Sequence, residues 1–353
     1  MNNGPLVSVI LPVFNAEEYV QEAIESILTQ YYKHFELIVI NDGSTDNSAS
    51  IIKELSEQDP RIVVISRPNE GLVSALNTGL NYANGEFIAR MDADDKSMSD
   101  RFTKQVEYLL KNPRVAVVGT FIKIIDEHGA FIRNGEYPTE SDAIEQFLEF
   151  GCPMAHPSVM MRREVVKFVG GYRKAFSHCE DYDLWLRISE EGFHLANIPE
   201  PLLAYRNHSS NISLIQREKQ ELGSIVARIT HRARVTGVSD PFDFTEEIDI
   251  DFVEMLPDNL RFDAEAEIFT HRFLNTDLND KSMVKMVWDQ YQSLSPVVKR
   301  KNTMTKFVLR LIVSAAQVRA PRALLKAIIE LVMRHPVYFS RQLILRLFTG
   351  EKS

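Results

Sequence analysis

An α/β protein with a mostly parallel central sheet flanked by helices, followed by a mainly helical region, is what the 353-residue sequence predicts. Three observations carry that expectation. Apolar, β-branched runs alternate with helix-spaced segments over the first ~120 residues, the pattern of parallel strands covered on both faces. Polar clusters stand at the carboxyl ends of three of those runs, where open α/β sheets bind their ligands. From about Leu214 the strand patterns give way to amphipathic helical ones.

Taken in order, Val7 to Val13 is the first strand, and Ala16 to Gln30 a helix with Ala23, Ile24, Ile27 and Leu28 on one face. Phe35 to Ile40 is a second buried strand, and the turn-rich Asn41 to Asn47 opens a helix that runs through Glu57. Ile62 to Ile65, Glu86 to Met91 and Val115 to Gly119 complete five strands. Gly71 to Ala83 and Ser99 to Lys111 are the helices between them, the latter with Asp100 early and Pro113 beyond its end. After Gly119 the pattern loosens. Phe121 to Phe131 reads as a hairpin turning at His128-Gly129, Ala143 to Glu149 as a short helix and Ser158 to Met161 as a strand. Asp183 to Glu191 reads as a helix preceded by acids, and Ile198 to Tyr205 as one more strand. The domain boundary is expected near Asn211, giving a first domain over 1–210 and a helical region over 211–353.

Composition is that of a globular chain, 44% hydrophobic and 25% charged, and its length exceeds what one core usually holds. Two cysteines, Cys152 and Cys179, make no disulfide framework and have no zinc-ligand spacing around them. There is no basic leader segment and no run of ~18 apolar residues, so a cytoplasmic protein is expected. The net charge of −9 is unevenly spread. From Lys299 onward twelve basic residues face only Glu330 and Glu351, leaving the tail at +10 and the rest at −19.

The chemistry-bearing clusters are Asp92-Ala93-Asp94, Asn41-Asp42-Gly43-Ser44-Thr45-Asp46 and Glu180-Asp181. Two carboxylates flanking one residue at a strand end repel each other unless a cation lies between them. Hard oxygen ligands suit Mg²⁺ or Mn²⁺, which would bridge to a diphosphate; a polar loop capping the next helix is the plainer reading. Gly43 permits a tight turn, and Asp42 could accept a hydrogen bond from a base or ribose. Glu180 and Asp181 precede a helix, where acids stabilise the helix dipole, or they supply a general base at a cleft mouth.

The order and spacing of these clusters resemble the large inverting glycosyltransferase family 2 and its GT-A fold. The resemblance spans roughly residues 5 to 210 and rests on Val9-Ile10-Leu11-Pro12-Val13-Phe14-Asn15, Asn41 to Asp46, Asn69-Glu70-Gly71, Asn77-Thr78-Gly79, Asp92-Ala93-Asp94 and Glu180-Asp181. It implies that Pro12, Val13, Asn15, Asp42, Asn69, Gly71, Asn77, Asp92 and Ala93 line a nucleotide-sugar site, with Asp42 on a pyrimidine base. It implies Asp94 as the main ligand of Mn²⁺ or Mg²⁺, with Asp92 and His208 beside it. Asp181 looks like the catalytic base, helped by Glu180. Where the family often has Asp and Arg or Lys, this chain has Asn41 and Leu76. The Gln-x-x-Arg-Trp motif of processive members is missing, which favours transfer of single sugars.

The expected partners are a nucleotide-diphosphate sugar, with a UDP-sugar as the expected donor, and a glycan or lipid-linked glycan acceptor of surface polysaccharide assembly. Basic amphipathic helices in the tail, with Arg322, Lys326, Glu330 and Arg334 at four-residue spacing, suggest peripheral contact with an anionic membrane. A helical subdomain with a solvated basic face is the competing reading. No nucleic-acid partner is expected, since the basic residues lack interleaved aromatic platforms. A sugar nucleotidyltransferase would need a Gly-rich, Arg-containing loop after the first strand, and a dehydrogenase Gly-x-Gly-x-x-Gly there. Pro12-Val13-Phe14-Asn15 is neither. A non-catalytic sugar-nucleotide-binding module is the remaining alternative, and it has no need of Asp181.

Overall fold

The computed structural model describes residues 4–208, 216–240, 242–243, 245–248, 250–274, 280–299, 301–318, 320, 323 and 326–330. The boundary expected near Asn211 and the tail beyond Glu330 lie outside them. The chain divides into two compact units: Met1–His231 with Pro241–Ile248, and Arg232–Asp240 with Asp249–Ser353.

In the first unit the strands are β1 (Val7–Val13), β2 (Phe35–Asp42), β3 (Ile62–Arg67), β4 (Phe87–Arg90), β5 (Lys96–Ser97), β6 (Val115–Ile125), β7 (Phe131–Gly135), β8 (Met160–Arg162) and β9 (His194–Arg206). The helices are α1 (Val20–Leu28), α2 (Ser48–Gln58), α3 (Leu72–Tyr82), α4 (Arg101–Lys111), α5 (Ser141–Leu148), α6 (Arg163–Phe168), α7 (Glu180–Glu190) and α8 (Arg217–Val235), the last crossing the division between units. The nine described strands form one sheet in the order β3-β2-β1-β4-β8-β6-β9-β5, with β7 on β6.

The first four strands pair in parallel, as their unbroken apolar runs require. The expected fifth strand corrects that picture. Val115 does not continue the parallel set beside β4, because β8 inserts between β4 and β6 antiparallel to both. The Val115–Gly119 strand and the first arm of the expected hairpin are one strand, β6, which runs parallel to β9 and turns through Asp126 to Ala130 into β7. Asp126 Oδ1 ties that turn by accepting from His128 N at 3.0 Å and Ala130 N at 2.8 Å.

Local departures have local causes. The first helix starts at Val20 rather than Ala16, after a turn in which Ala16 O accepts from Tyr19 N and Val20 N while Ala16 N and Glu17 N are held by Ser48 Oγ and Asp46 Oδ2 at 2.9 and 3.0 Å. The helix expected from Asp183 begins at Glu180, so three acids occupy its first turn, where the helix dipole favours them. Proline inside a central strand is rare, yet Pro12 costs β1 nothing. Ile10 O accepts from Met91 N, so Pro12 faces the β4 side, and β4 pairing ends opposite Ile10.

The core of this unit is built from Val9, Leu11, Leu37, Val39, Phe87 and their neighbours, with Ile24, Ile27 and Phe102 packed on it from the helices. The second unit holds α9 (Asp258–Leu274), α10 (Lys281–Ser293), α11 (Pro296–Lys299) and α12 (Asn302–Gln317). Phe269, Phe273, Tyr291 and Phe307 form its aromatic core. Part of the basic run is internally matched there: Lys299 Nζ donates to Gln292 O, Lys301 pairs with Asp263, and Glu330 accepts from Tyr291 Oη. No described helix is long and apolar enough to cross a membrane.

Candidate active site

Three chain segments meet at the carboxyl ends of β1, β2 and β4. The loop after β1 is stitched to the loop after β2. Asn15, at φ 48°, accepts from Thr45 N at 2.8 Å and donates its own N–H to Ser44 Oγ at 3.1 Å. Asn41 Oδ1 accepts from Ser44 N, and Val13 pairs with Asn41 in register. Gly43, at φ +76°, is required twice over: a Cβ there would meet Asn69 N at 2.6 Å. The Asn69–Gly71 loop is thereby held against the β2 turn.

Asp42, 3% exposed, is the anchor of that loop. Its Oδ1 accepts from Arg67 Nε at 2.7 Å and Glu70 N at 3.2 Å, and its Oδ2 from Gly71 N at 2.9 Å. Asn77 has a different task. Its amide donates to Tyr172 O at 2.8 Å and accepts from Tyr172 N at 3.0 Å, joining α3 to the loop before α7. Both ends of that amide are spent on backbone, which makes Asn77 a positioning group.

Beyond β4 the carboxylates of Asp92, Asp94 and Asp95 offer oxygens that all lie within 4.8 Å of one another. Ala93 between them is buried. Arg90 Nη1 approaches Asp92 Oδ2 at 2.5 Å, and Asp94 Oδ2 meets His208 Nε2 at 2.9 Å. Asp95 Oδ1 accepts from Arg206 N, but its buried Oδ2 has no partner. Burial pushes Asp92 up and Asp95 well up from the usual carboxylate range, and the neighbouring acids add to both shifts. Three carboxylates beside an imidazole, with one carboxylate oxygen orphaned, fit a hard divalent cation such as Mg²⁺ or Mn²⁺. His208 is held in place by Tyr19, whose ring lies 5.5 Å away and carries the Arg206 guanidinium 4.6 Å from its centroid.

A second pair of acids stands at the start of α7. Glu180 is 4% exposed, its Oε2 has no partner, and its Oε1 lies 4.0 Å from His156 Nδ1. Burial and then the Asp181 charge push Glu180 up to about 7. Burial also raises Asp181, whose Oδ2 accepts from Cys152 Sγ at 3.4 Å. Burial holds His156 well below its ordinary value, so it is neutral and bonded through Nε2 to Tyr172 Oη at 2.9 Å. Asp183, fully buried, clamps the helix by pairing with both Arg173 and Arg187, and Arg187 in turn donates to Val169 O and Gly171 O. The Asp181 charge is among those that raise Asp92, so the two acid clusters share one field.

Sequence reasoning did not single out Arg67, Arg90, His156 or Tyr172, and it saw no role for Cys152. Arg90 could have been found as a charged residue ending a buried strand, a position that demands a counter-ion.

A parallel half, an antiparallel insertion and a carboxylate cluster beyond the fourth strand define the GT-A class of transferase fold. The profile of "Glycosyl transferase family 2" matches residues 8–170. An uncharacterized glycosyltransferase of Haemophilus influenzae is 39% identical over 233 residues, 62% of this chain and 71% of that protein. The O-antigen biosynthesis glycosyltransferase WbnJ of Escherichia coli is 39% identical over 209 residues, 58% of this chain and 81% of that one. Among solved structures, S. aureus TarS 1-349 in complex with UDP-GlcNAc superposes with a TM-score of 0.55 at 16% identity, covering 98% of this chain and 92% of that one. The chain belongs to glycosyltransferase family 2.

Proposed function

We propose that the protein transfers a sugar, with inversion, from a UDP-sugar to a hydroxyl of a lipid-linked glycan during polysaccharide biosynthesis. The observation that carries this reading is the cluster of Asp92, Asp94 and Asp95 oxygens within 4.8 Å of one another beyond β4, with His208 on Asp94. Relatives that act in polysaccharide assembly, such as the O-antigen enzyme, support the process.

Pro12, Val13, Asn15, Asn69 and Gly71 would line the base and ribose around Asp42, with Asp92 and Ala93 nearer the diphosphate. Asp94, Asp92 and His208 would hold Mn²⁺ or Mg²⁺, joined by Asp95. When bound, the ion supplies positive charge against which a leaving diphosphate is stabilised. Asp181 accepts the proton of the attacking hydroxyl; its raised affinity for protons brings it toward the working pH, as a general base requires. A hydroxyl delivered from the Asp181 side attacks the anomeric carbon opposite the diphosphate, so one displacement inverts configuration. Glu180 lies alongside Asp181, whose charge adds to burial in keeping Glu180 protonated. The basic helices of the tail would hold the enzyme at an anionic membrane face, where a lipid-linked acceptor resides.

The test is nucleoside diphosphate release from UDP-, GDP- and dTDP-sugars with Mn²⁺ or Mg²⁺, with lipid extract as acceptor. Release that needs metal and is stimulated by the extract is expected. Asp181→Asn is expected to lower kcat by about 10²–10⁴ with little change in donor KM, the contribution of a general base. Donor binding without any release, in wild type and variant alike, would leave only a binding module.

A further inference from the structure

We infer that Arg67 sets the nucleobase specificity of the site, by presenting Asp42 with one free acceptor position and so admitting only a base with a single imide N–H. The inference rests on the reading of the Asp42 loop as a nucleotide pocket.

Arg67 ends β3, and its side chain is 13% exposed. Its guanidinium is fixed on every side. Nη1 donates to Ser74 Oγ and Thr78 Oγ1, both at 2.8 Å and one turn apart on α3. Nη2 reaches Gly71 O at 3.4 Å, and Glu70 Oε2 lies 3.6 Å from Nη1. Nε and Nη2 both stand 2.7 Å from Asp42 Oδ1. Lysine could not do this, because only the planar fork binds a carboxylate and two hydroxyls at once.

The consequence follows from counting acceptor capacity. A carboxylate has about four lone-pair positions, two on each oxygen. Arg67 and Glu70 N fill Oδ1, and Gly71 N takes one position on Oδ2. One position remains, on Oδ2. Uracil and thymine present one N–H between two carbonyls and need one acceptor. Guanine presents N1–H beside an amino group and needs both oxygens, one of which is occupied. Cytosine and adenine offer a ring nitrogen that itself accepts, which sets lone pair against lone pair. A site built around buried polar groups rejects the wrong partner strongly, because a mismatch leaves those groups unpaired.

The experiment is calorimetric titration of UDP, dTDP, GDP and CDP into the full chain with Mn²⁺, for wild type and Arg67→Met. Wild type is expected to bind UDP and dTDP at least about tenfold more tightly than GDP and CDP, one mismatched hydrogen bond being worth about that factor. Arg67→Met frees one position on Oδ1, Glu70 N keeping the other, and is expected to bring GDP within about threefold of UDP, mainly through tighter GDP binding. An unchanged UDP-to-GDP ratio in the variant overturns the role of Arg67 while the nucleotide pocket stands. A wild type that binds all four equally also overturns it, and one that binds none overturns the pocket with it. If thermal melting shows Arg67→Met unfolded, Arg67→Ala carries the same comparison, since it also removes every Arg67 donor from Oδ1 and leaves room for water on the Ser74 and Thr78 hydroxyls.

Discussion

At the ends of β1 and β2 the polar side chains answer one another, whereas at the end of β4 and the start of α7 several have no partner. Asp42 accepts three hydrogen bonds and Asn15 two, and the Ser44, Asp46 and Ser48 side chains all meet backbone N–H groups. At the end of β4 and the start of α7, Arg90 Nε, Asp95 Oδ2 and Glu180 Oε2 are buried and unpaired. Both regions hang on one sheet. The first is a recognition surface that is finished when the chain folds. The second stores unfavourable charge, which folding tolerates where chemistry is to be done.

The largest test of this contrast is Asp183→Ala. It would leave Arg173 and Arg187 without their shared carboxylate, and breaking a buried pair costs about 3–5 kcal/mol. Urea denaturation is expected to show a loss of that order. A loss comparable to a surface substitution would mean that α7 is not clamped through this acid.

A smaller effect is expected at Glu180, and its sign separates the regions. Its proton affinity is raised in the folded state to about 7, so its favourable contribution is complete below the unfolded value near 4.5 and is lost as pH rises through about 7. Glu180→Gln does not titrate. The variant should therefore gain on wild type progressively between those pH values, by at most about 3 kcal/mol for the full shift. Melting curves across that window check it, and a difference that shrinks with rising pH would refute the buried neutral acid.

The smallest effect belongs to Cys152, whose thiol gives Asp181 a weak hydrogen bond that favours the ionised form. Cys152→Ala should move the acid limb of the pH–rate profile toward higher pH by less than about one unit, with Cys152→Ser restoring it. A shift to lower pH would show that the thiol does not support the Asp181 charge.

The parallel half was legible in the sequence because β1, β2 and β4 are buried on both faces and read as apolar runs, while the edge strand β3 shows itself by its β-branched Ile62-Val63-Val64-Ile65 although Val63 and Val64 are exposed. Val7–Val13 emerged with the same limits in sequence and structure. The second half was harder for physical reasons. Met160–Arg162 is three residues long, too short for any periodicity, yet it decides that the sheet is mixed. Acids were visible as motifs, but the groups that govern them were not. Arg67 acts on Asp42 across 25 positions, and Cys152 on Asp181 across 29. Such pairs are set by the approach of distant segments, and one sequence carries no trace of it.

The chain has two tryptophans, and each compact unit holds one of them. Trp288 is packed beside Tyr291, whereas Trp185 is fully buried with its ring 6.0 Å from His156 and in reach of Cys152. Thiols and imidazoles quench indole emission at such range. With Trp288→Phe the remaining tryptophan fluorescence would come from α7 alone, giving a label-free optical reporter on the helix that carries Glu180 and Asp181.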